Sequence, residues 1–242
     1  MKLAVASSAF HRSIESGDLT QLEFLDLCAR ELACDGVVLD VRHFPRTDGD
    51  YLAQVKKMAA DRGLAVAALA DGGFFGAQEP AMLSSLDDAG ALGAPLLTAP
   101  AGLETAASWS EQLERLGVAT SLAKRANVTL ALRNAPGTFA ASAHDCKRVS
   151  KEADSAWLRF GLEPLAFDAG SDASALAPNA VLLWSDVDAA ANAAIGATLE
   201  AFAAFRGHLA LDDRTGDATA QTMKNAMRLW RTALAQKILN RT

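Results

Sequence analysis

The sequence lacks the long apolar runs that mark membrane proteins. Half of its 242 residues are hydrophobic, yet no run reaches the roughly 18–20 apolar residues of a membrane-spanning helix. The opening segment, Met1 to Ala6, is too short and too weakly charged for a secretory signal, so we interpret it as a first strand. These absences predict a cytoplasmic protein with no membrane contact.

Cysteine is scarce, being present at Cys28, Cys34 and Cys146. The number is odd and the spacing is not that of close metal ligands. We therefore expect reduced, part-buried thiols, as suits a reducing cytoplasm. A chain of 242 residues can bury enough surface to be stable without a disulfide or a structural metal.

Positive charge is limited and scattered. The formal net charge is −6, and the lysines and arginines are dispersed among acids instead of forming one basic stripe. A protein that binds the phosphates of a nucleic acid usually carries such a stripe. The sequence therefore disfavours a nucleic-acid partner and indicates a small-molecule ligand or a protein partner.

Several catalytic motifs are absent as well. The chain has no G-x-G-x-x-G phosphate turn, no G-x-S-x-G nucleophile elbow and no H-E-x-x-H pair of histidines. Every lysine except Lys2 lies in a predicted helix, and Lys2 begins the first predicted strand. No lysine is thus placed for Schiff-base chemistry at a strand end, which disfavours a lysine-dependent aldolase.

The sequence does contain a regular alternation of short apolar strands and helical patterns, which is typical of parallel sheets. The strands begin roughly 22–34 residues apart, the length of a strand with its crossover helix. Eight are predicted: Leu3 to Ala6, Val37 to Val41, Ala65 to Leu69, Pro95 to Thr98, Val128 to Leu132, Leu158 to Leu162, Ala180 to Trp184 and His208 to Leu211. We predict an α/β protein formed by a single (β/α)8 TIM barrel over residues 1–242.

An open, doubly wound parallel sheet is the alternative architecture. It would usually carry a glycine-rich turn after its first strand, whereas this chain continues as Ser7-Ser8-Ala9-Phe10-His11. Helix boundaries are marked equally well in either case. Capping boxes predict two helix starts, at Thr20 with Glu23 and at Ser108 with Glu111, and left-handed helix ends are predicted at Gly63 and Gly93.

In a parallel barrel, functional groups project from the carboxyl ends of the strands and from the loops that follow. Those positions are polar in this chain. They hold Asp40, Arg42, His43, Asp71, Arg133, Asn134, Glu163, Ser185, Asp186, Asp212, Asp213 and Arg214. Acids and arginines converging on one mouth predict a site for a polar, hydroxyl-rich or anionic ligand. The loops after the last two strands lack glycine pairs, which disfavours a large phosphorylated substrate.

Most of these residues could have a structural role instead of a functional one. Asp186 followed by Asp188 is also the pattern of a helix N-cap, and Asp40 could be held by Arg42. His43 could be an ordinary loop residue. Arg133 ends an apolar strand, so its guanidinium is expected to be partly enclosed and to need carboxylate or ligand partners.

Taken together, four segments resemble the xylose isomerase-like barrels, a family that includes sugar isomerases and epimerases, inosose dehydratases and endonuclease IV. They are residues 36–40, 130–134, 162–164 and 183–186, and they read GVVLD, LALRN, LEP and LWSD. The resemblance covers nearly the whole chain as a pattern of strand ends. It implies a divalent Mn, Mg, Zn or Co ion held by Glu, Asp, His and Glu on strands five to eight.

The implied metal ligands are largely replaced in this chain. Arg133 stands where the resemblance implies the strand-five glutamate, and Glu163 where it implies the aspartate. The strand-seven histidine falls near Leu183, and Asp212 stands near the last glutamate. Because a fixed positive charge repels a divalent ion, we predict no metal or other cofactor, with Arg133 bridging Glu163 and Asp212.

Two functions follow as hypotheses. The first is an isomerase or epimerase acting on a small polyhydroxylated carbonyl compound without a metal. Its proposed catalytic residues are Glu163, Asp212 and His43, and its proposed substrate-binding residues are Arg133, Asn134, Asp40, Trp184 and Asp186. The second is a non-catalytic sugar-binding, sugar-acid-binding or regulatory protein on the same barrel. A metal-dependent nuclease is disfavoured by the depleted ligands and the negative charge.

The oligomeric state is left open by the sequence. Trp109, Trp184 and Trp230 could mark an interface wherever one of them is exposed, and packing in the core is the favoured alternative for each.

Overall fold

The protein is described from a computed structural model that covers residues 1–102, 107–167, 171–188 and 192–239. Eight parallel strands follow one another around a closed barrel, and the last strand pairs with the first. The strands are β1 (Lys2–Ala6), β2 (Gly36–Asp40), β3 (Ala65–Ala70), β4 (Leu96–Pro100), β5 (Thr129–Arg133), β6 (Leu158–Leu162), β7 (Ala180–Asp186) and β8 (His208–Asp212). The predicted (β/α)8 barrel is confirmed, and the open sheet is excluded.

Helices connect successive strands on the outside of the barrel. They are α1 (His11–Glu15), α2 (Gln21–Asp26), α3 (Gly49–Asp61), α4 (Glu79–Leu92), α5 (Trp109–Ala126), α6 (Ala143–Ala153), α7 (Asn192–Ala201) and α8 (Ala220–Leu239). Both predicted capping boxes are present, at Thr20 and Ser108. Gly63 and Gly93 have φ of 70° and 72°, the left-handed conformation predicted at helix ends.

Two local features differ from the sequence prediction. The helix predicted to continue past Asp26 changes into a π-helical turn, Leu27–Leu32, which ends at Ala33 with a left-handed φ of 49°. Five strands also end one or two residues later than predicted, and three of them end in a polar residue that pairs with the neighbouring strand, while β2 ends one residue earlier than predicted, at Asp40. Asp186, for example, pairs with Asp212 at the ends of β7 and β8. Arg133, Asp186 and Asp212 therefore lie on the strands themselves and not in the loops that follow.

The core has two parts. A large cluster fills the space between the strands and the helices and includes the fully buried Phe24 and Trp230. The smaller cluster contains Trp184, Val38 and Leu182, and its other buried members are the alanines Ala4, Ala6, Ala67, Ala68 and Ala210. Side chains alternate between the faces of a strand, so this small cluster is the barrel interior. Trp184 is the largest side chain in this cluster.

None of the three tryptophans that could mark an interface has a fully exposed side chain. Trp184 and Trp230 are buried, whereas Trp109 is half-buried and packs edge-on against Phe139. The cysteines at positions 28, 34 and 146 are buried free thiols, so they are more deeply enclosed than predicted. No helix in the described part of the chain combines the length and hydropathy that crossing a membrane requires.

Substitution of Gly36, the first residue of β2, tests how tightly the barrel is packed. A Cβ at this position would lie 2.7 Å from the carbonyl oxygen of Ala65 in β3. We expect Gly36→Ala to lower the melting temperature by about 3–10 °C, since crowding of this kind costs roughly 1–3 kcal/mol. Circular dichroism melts at fixed pH measure the shift.

The matched control is Gly117→Ala in the middle of α5, where a Cβ would have no neighbour within 4 Å. Here alanine is expected to raise the melting temperature by about 1–4 °C, because glycine costs roughly 0.5–1 kcal/mol in a helix interior. Equal shifts in the two variants would contradict the assigned contact of Gly36.

Candidate functional site

A cavity of about 380 Å³ opens at the carboxyl ends of the strands. Its charged lining is balanced, with three carboxylates and three guanidinium groups. The carboxylates belong to Asp40, Asp212 and Asp213, and the guanidinium groups belong to Arg42, Arg133 and Arg214. Trp184 and His11 also line the cavity. The volume is within the range of small-molecule sites, and the lining is rich in hydrogen-bonding groups.

Arg133, the last residue of β5, lies at the centre of this mouth. Its Nη1 donates to Asp212 Oδ2 at 3.1 Å, and its Nη2 donates to Glu163 Oε2 at 3.2 Å. The guanidinium carbon lies 4.0 Å from the centroid of the Trp184 ring. These are the two carboxylate contacts predicted from the sequence, and the side chain is 21% exposed, so part of the guanidinium faces the cavity.

The two carboxylates receive further hydrogen bonds. Arg214 Nη2 donates to Glu163 Oε1, while Asp212 Oδ1 accepts from the Ser8 hydroxyl at 2.7 Å and from the Asp213 amide at 3.0 Å. Each oxygen of the two groups therefore has at least one donor. The hydrogen bond with Glu163 raises the pKa of Arg214 above its usual value. Such pairing is what allows buried carboxylates to remain charged.

Asn134 has a different position from the one expected of a substrate-binding residue. It is buried, its Nδ2 donates to the carbonyl of Glu163 at 3.1 Å, and its Oδ1 accepts from the Glu163 amide at 2.7 Å. The side chain thus pairs with the backbone of residue 163 in the way that a neighbouring strand would. Asn134 holds Glu163 in place and does not line the cavity.

Asp40 and Arg42 form a closed pair at the end of β2. Arg42 donates to Asp40 from its backbone amide, from Nε at 3.0 Å and from Nη2 at 2.7 Å. Burial acts to raise the pKa of Asp40, but the hydrogen bonds from Arg42 outweigh it, and the pKa is lowered. The structural alternative considered for Asp40 is therefore present, although both side chains still line the cavity.

Asp186 organises the loops after β7 and β8. Its Oδ1 accepts from the Asp188 amide at 2.9 Å, and its Oδ2 accepts from the Arg214 amide at 3.1 Å. The first contact is a turn of the kind that an N-cap makes, but α7 begins at Asn192, and residues 189–191 lie outside the described part of the chain. Asp186 thus positions Arg214, which in turn contacts Glu163.

His43 is buried in the turn that follows β2, and both of its ring nitrogens have partners. Nδ1 lies 2.8 Å from the Ser7 hydroxyl, and Nε2 lies 3.0 Å from Nδ1 of His11. Burial lowers the pKa of His43, an effect that nearby Asp40 opposes in part. His11 lines the cavity and therefore lies between His43 and any ligand.

The sequence reading missed Ser8 and His11, although a signal for them exists. Both follow β1, so the rule that strand ends carry the site applies to them as it does to the later strands. Asp71, which was expected at the mouth, instead accepts hydrogen bonds from the Gly73 amide and the Ser85 hydroxyl. It therefore organises the loop after β3.

Comparison with known proteins gives one family and many structural neighbours. The family model described as xylose isomerase-like TIM barrel matches residues 28–179. No curated protein matches the sequence.

Three of the solved structures that are similar to this chain share the whole barrel. A structure of L-ribulose 3-epimerase has a TM-score of 0.74 at 17% identity, and covers 100% of this chain and 98% of that chain. The probable 3-DHS dehydratase AsbF of Bacillus anthracis has a TM-score of 0.74 at 14% identity, with 95% and 98% coverage. A D-psicose 3-epimerase has a TM-score of 0.68 at 13% identity, with 97% of each chain covered. At these identities the likeness establishes the fold.

Replacement of Arg133 tests the central ion pairs. We expect Arg133→Met to destabilise the protein by about 1–3 kcal/mol, because Glu163 and Asp212 each lose a buried counter-charge. Adding Glu163→Gln should recover part of this loss, since a neutral amide needs no counter-charge. Melting temperatures of the two single variants and the double variant measure the coupling.

The matched control is Arg206→Met, because Arg206 is exposed and donates to the backbone carbonyls of Ala203 and Phe205. Its loss is expected to change stability by less than about 0.5 kcal/mol. Strictly additive effects of Arg133→Met and Glu163→Gln would contradict the buried pair.

Proposed function

This chain belongs to the xylose isomerase-like TIM barrel family, and on that premise we propose that its mouth binds a small polyhydroxylated carbonyl compound or sugar acid and moves a proton within it, without a divalent metal. The observation that carries the proposal is the position of Arg133 between Glu163 and Asp212. It places a fixed cation at the centre of the site.

The residues present do not fit the divalent ion that the family resemblance implies. Glu163 and Asp212 are the two carboxylates left at the implied positions, and guanidinium or other donors already contact their four oxygens. Leu183 is a buried hydrophobic residue in β7. Among the described residues no group of three His, Cys, Asp or Glu side chains is arranged to hold a metal ion. We derive no chemistry through a metal.

Arg133 can supply the positive charge that a metal ion would supply in this site. A guanidinium has five N–H donors in a fixed plane, and two of its nitrogens already donate to carboxylates. The ring of Trp184 beneath it fixes its height in the barrel. The remaining donors can bind a ligand carbonyl or carboxylate and stabilise negative charge that develops on its oxygen.

The size and charge of the cavity indicate the ligand class. About 380 Å³ suits a small molecule, and the balanced lining offers both donors and acceptors to hydroxyl groups. An equal number of acids and arginines does not favour a multiply charged phosphate. The structural neighbours include an L-ribulose 3-epimerase and a D-psicose 3-epimerase, whose names place sugars in barrels of this fold.

Binding without turnover is the second candidate, and one observation favours it. Both Glu163 and Asp212 are held by guanidinium groups, so neither carboxylate is free to act as a base in this arrangement. A binding protein needs only the donors and acceptors of the mouth, whereas proton transfer needs a placed base.

Metal analysis tests the metal-free part of the proposal. Protein dialysed without chelator is expected to hold far less than one Mn, Zn, Co or Mg ion per chain, because the carboxylate oxygens are already engaged. Mass-spectrometric metal quantification gives the ratio. One tightly held ion per chain that is lost in Glu163→Ala would overturn this part.

Deuterium exchange tests the catalytic part. In deuterated water containing D-fructose, L-ribulose or D-glucuronate, we expect the wild-type protein to introduce deuterium at the carbon next to the carbonyl of at least one sugar. Arg133→Ala should reduce the rate roughly 100–1000-fold through loss of oxyanion stabilisation. Proton NMR follows the exchange, and Arg206→Ala is the control.

The same sugars separate the two candidates in thermal-shift measurements. Stabilisation that Arg133→Ala abolishes, without any exchange, would favour the binding protein. No exchange and no stabilisation with any of the three sugars would contradict both candidates for this ligand class.

A further inference from the structure

We infer that His11 is the proton-transfer residue of the mouth, and that His43 and Ser7 behind it set the state of its ring. This inference rests on the proposed function, for which Glu163 and Asp212 leave no free base. It replaces the expectation that His43 itself meets the ligand. The observation behind it is a line of contacts that runs from the barrel wall to the cavity.

The line begins at the end of β1 and crosses to β2. The Ser7 hydroxyl oxygen accepts a hydrogen bond from the Asp40 amide at 2.9 Å and lies 2.8 Å from His43 Nδ1. His43 Nε2 lies 3.0 Å from His11 Nδ1, and the two rings meet edge to edge with centroids 5.3 Å apart. His11 Nε2 ends the line, 3.6 Å from Glu15 Oε2. That last distance is beyond a hydrogen bond, so a ligand can still approach Nε2.

Burial separates the roles of the two histidines. Ser7 and His43 are buried, whereas the His11 side chain is 30% exposed and lines the cavity. The backbone of Gly216 lies close to His11, and a Cβ added to Gly216 would be only 2.9 Å from the His11 Cβ. The loop after β8 can thus pack directly against the first turn of α1. His11 is the member of the line that can touch a ligand, and His43 is a positioning residue.

The contact between the rings restricts where hydrogens can be. One hydrogen must lie between His11 Nδ1 and His43 Nε2. When the pair carries an additional proton, His43 Nδ1–H donates to the Ser7 oxygen and His11 Nε2–H points away from His43. Loss of the Nε2 proton leaves His11 with its Nδ1–H donated to His43 and a lone pair on Nε2. In this tautomer Nδ1–H is donated to His43, and Nε2 is the nitrogen of His11 that can accept a proton from a ligand.

The proposed step balances without an added reagent. The hydrogen on the carbon next to the ligand carbonyl moves as a proton to the Nε2 lone pair of His11. The C–H electron pair forms the C=C bond of an enolate, whose oxygen carries the negative charge and accepts from Arg133. Return of the proton from His11 to the same carbon restores the carbonyl compound and the neutral histidine.

Several charged groups lie around the two histidines. Glu15 lies on its own helix at 3.6 Å, and Asp40 and Arg42 lie beside His43 as a closed pair. On the loop after β8, Asp217 is paired with Arg12. Glu15 is therefore the one of these acids that is not shared with an arginine in the described ion pairs, and it compensates the imidazolium.

The first test is a histidine titration of the ligand-free protein. With ¹⁵N-labelled histidine, signals are assigned from His11→Gln and His43→Gln, and the exposed His144 serves as an internal reference. As the pH is lowered, we expect His11 and His43 to take up one proton together, with one common midpoint on all four ring nitrogens. A titration of His11 that leaves the His43 nitrogens unchanged would overturn the shared-proton arrangement.

The second test measures exchange with whichever of D-fructose, L-ribulose or D-glucuronate the wild-type protein turns over. His11→Gln is expected to lower kcat roughly 100–10,000-fold with little change in KM, while His144→Gln leaves both unchanged. The wild-type rate should fall with decreasing pH, because the neutral ring is the base. The midpoint of this fall should equal the midpoint of the NMR titration. His43→Gln should displace that pH profile.

Each outcome decides a separate point. An unchanged rate in His11→Gln, or a pH profile unrelated to the histidine titration, overturns the assignment of His11. If the wild-type protein exchanges none of the three sugars, the proposed function fails and the catalytic assignment fails with it. The titration then still supports or overturns the one-proton pair.

Discussion

The guanidinium of Arg133 is the group on which the mouth of this barrel depends. It joins the end of β5 to Glu163 after β6 and to Asp212 at the end of β8, so three separate parts of the chain meet through one charge. Without it, two buried carboxylates would face each other with fewer partners, which is a costly arrangement. Arg214 and Ser8 complete the network from the other side. The shape of the cavity therefore follows from charge balance as much as from the backbone.

The barrel itself was predictable because its pattern is local. Each strand is a short apolar run, and the spacing of successive runs fits one crossover helix, so eight strands could be located from the sequence alone. Errors in the strands were confined to their ends, for example at Asp212, where a polar residue continues the pairing that hydrophobicity alone would end. The π-helical turn at Leu27–Leu32 was not predictable, since no residue type marks it.

The site was predictable where charge logic constrains it and unpredictable elsewhere. An arginine at the end of an apolar strand needs carboxylate or ligand partners, and the family resemblance indicated Glu163 and Asp212 as the carboxylates near it. The bonds of Asn134 to the backbone of Glu163, and the contact between His11 and His43, depend on the register and spacing of neighbouring strands. Such positions are set by tertiary structure, so the sequence offered residue types without partners.

The alanine-lined interior described above has a consequence for electrostatics. Small side chains around the barrel axis leave room for the indole of Trp184 to lie under Arg133, at 4.0 Å from the guanidinium carbon. The ring excludes water from the space below the guanidinium, so solvent dipoles do not screen the charge from that side. The field of that charge is then strongest towards the open side of the barrel, where a ligand oxygen would lie.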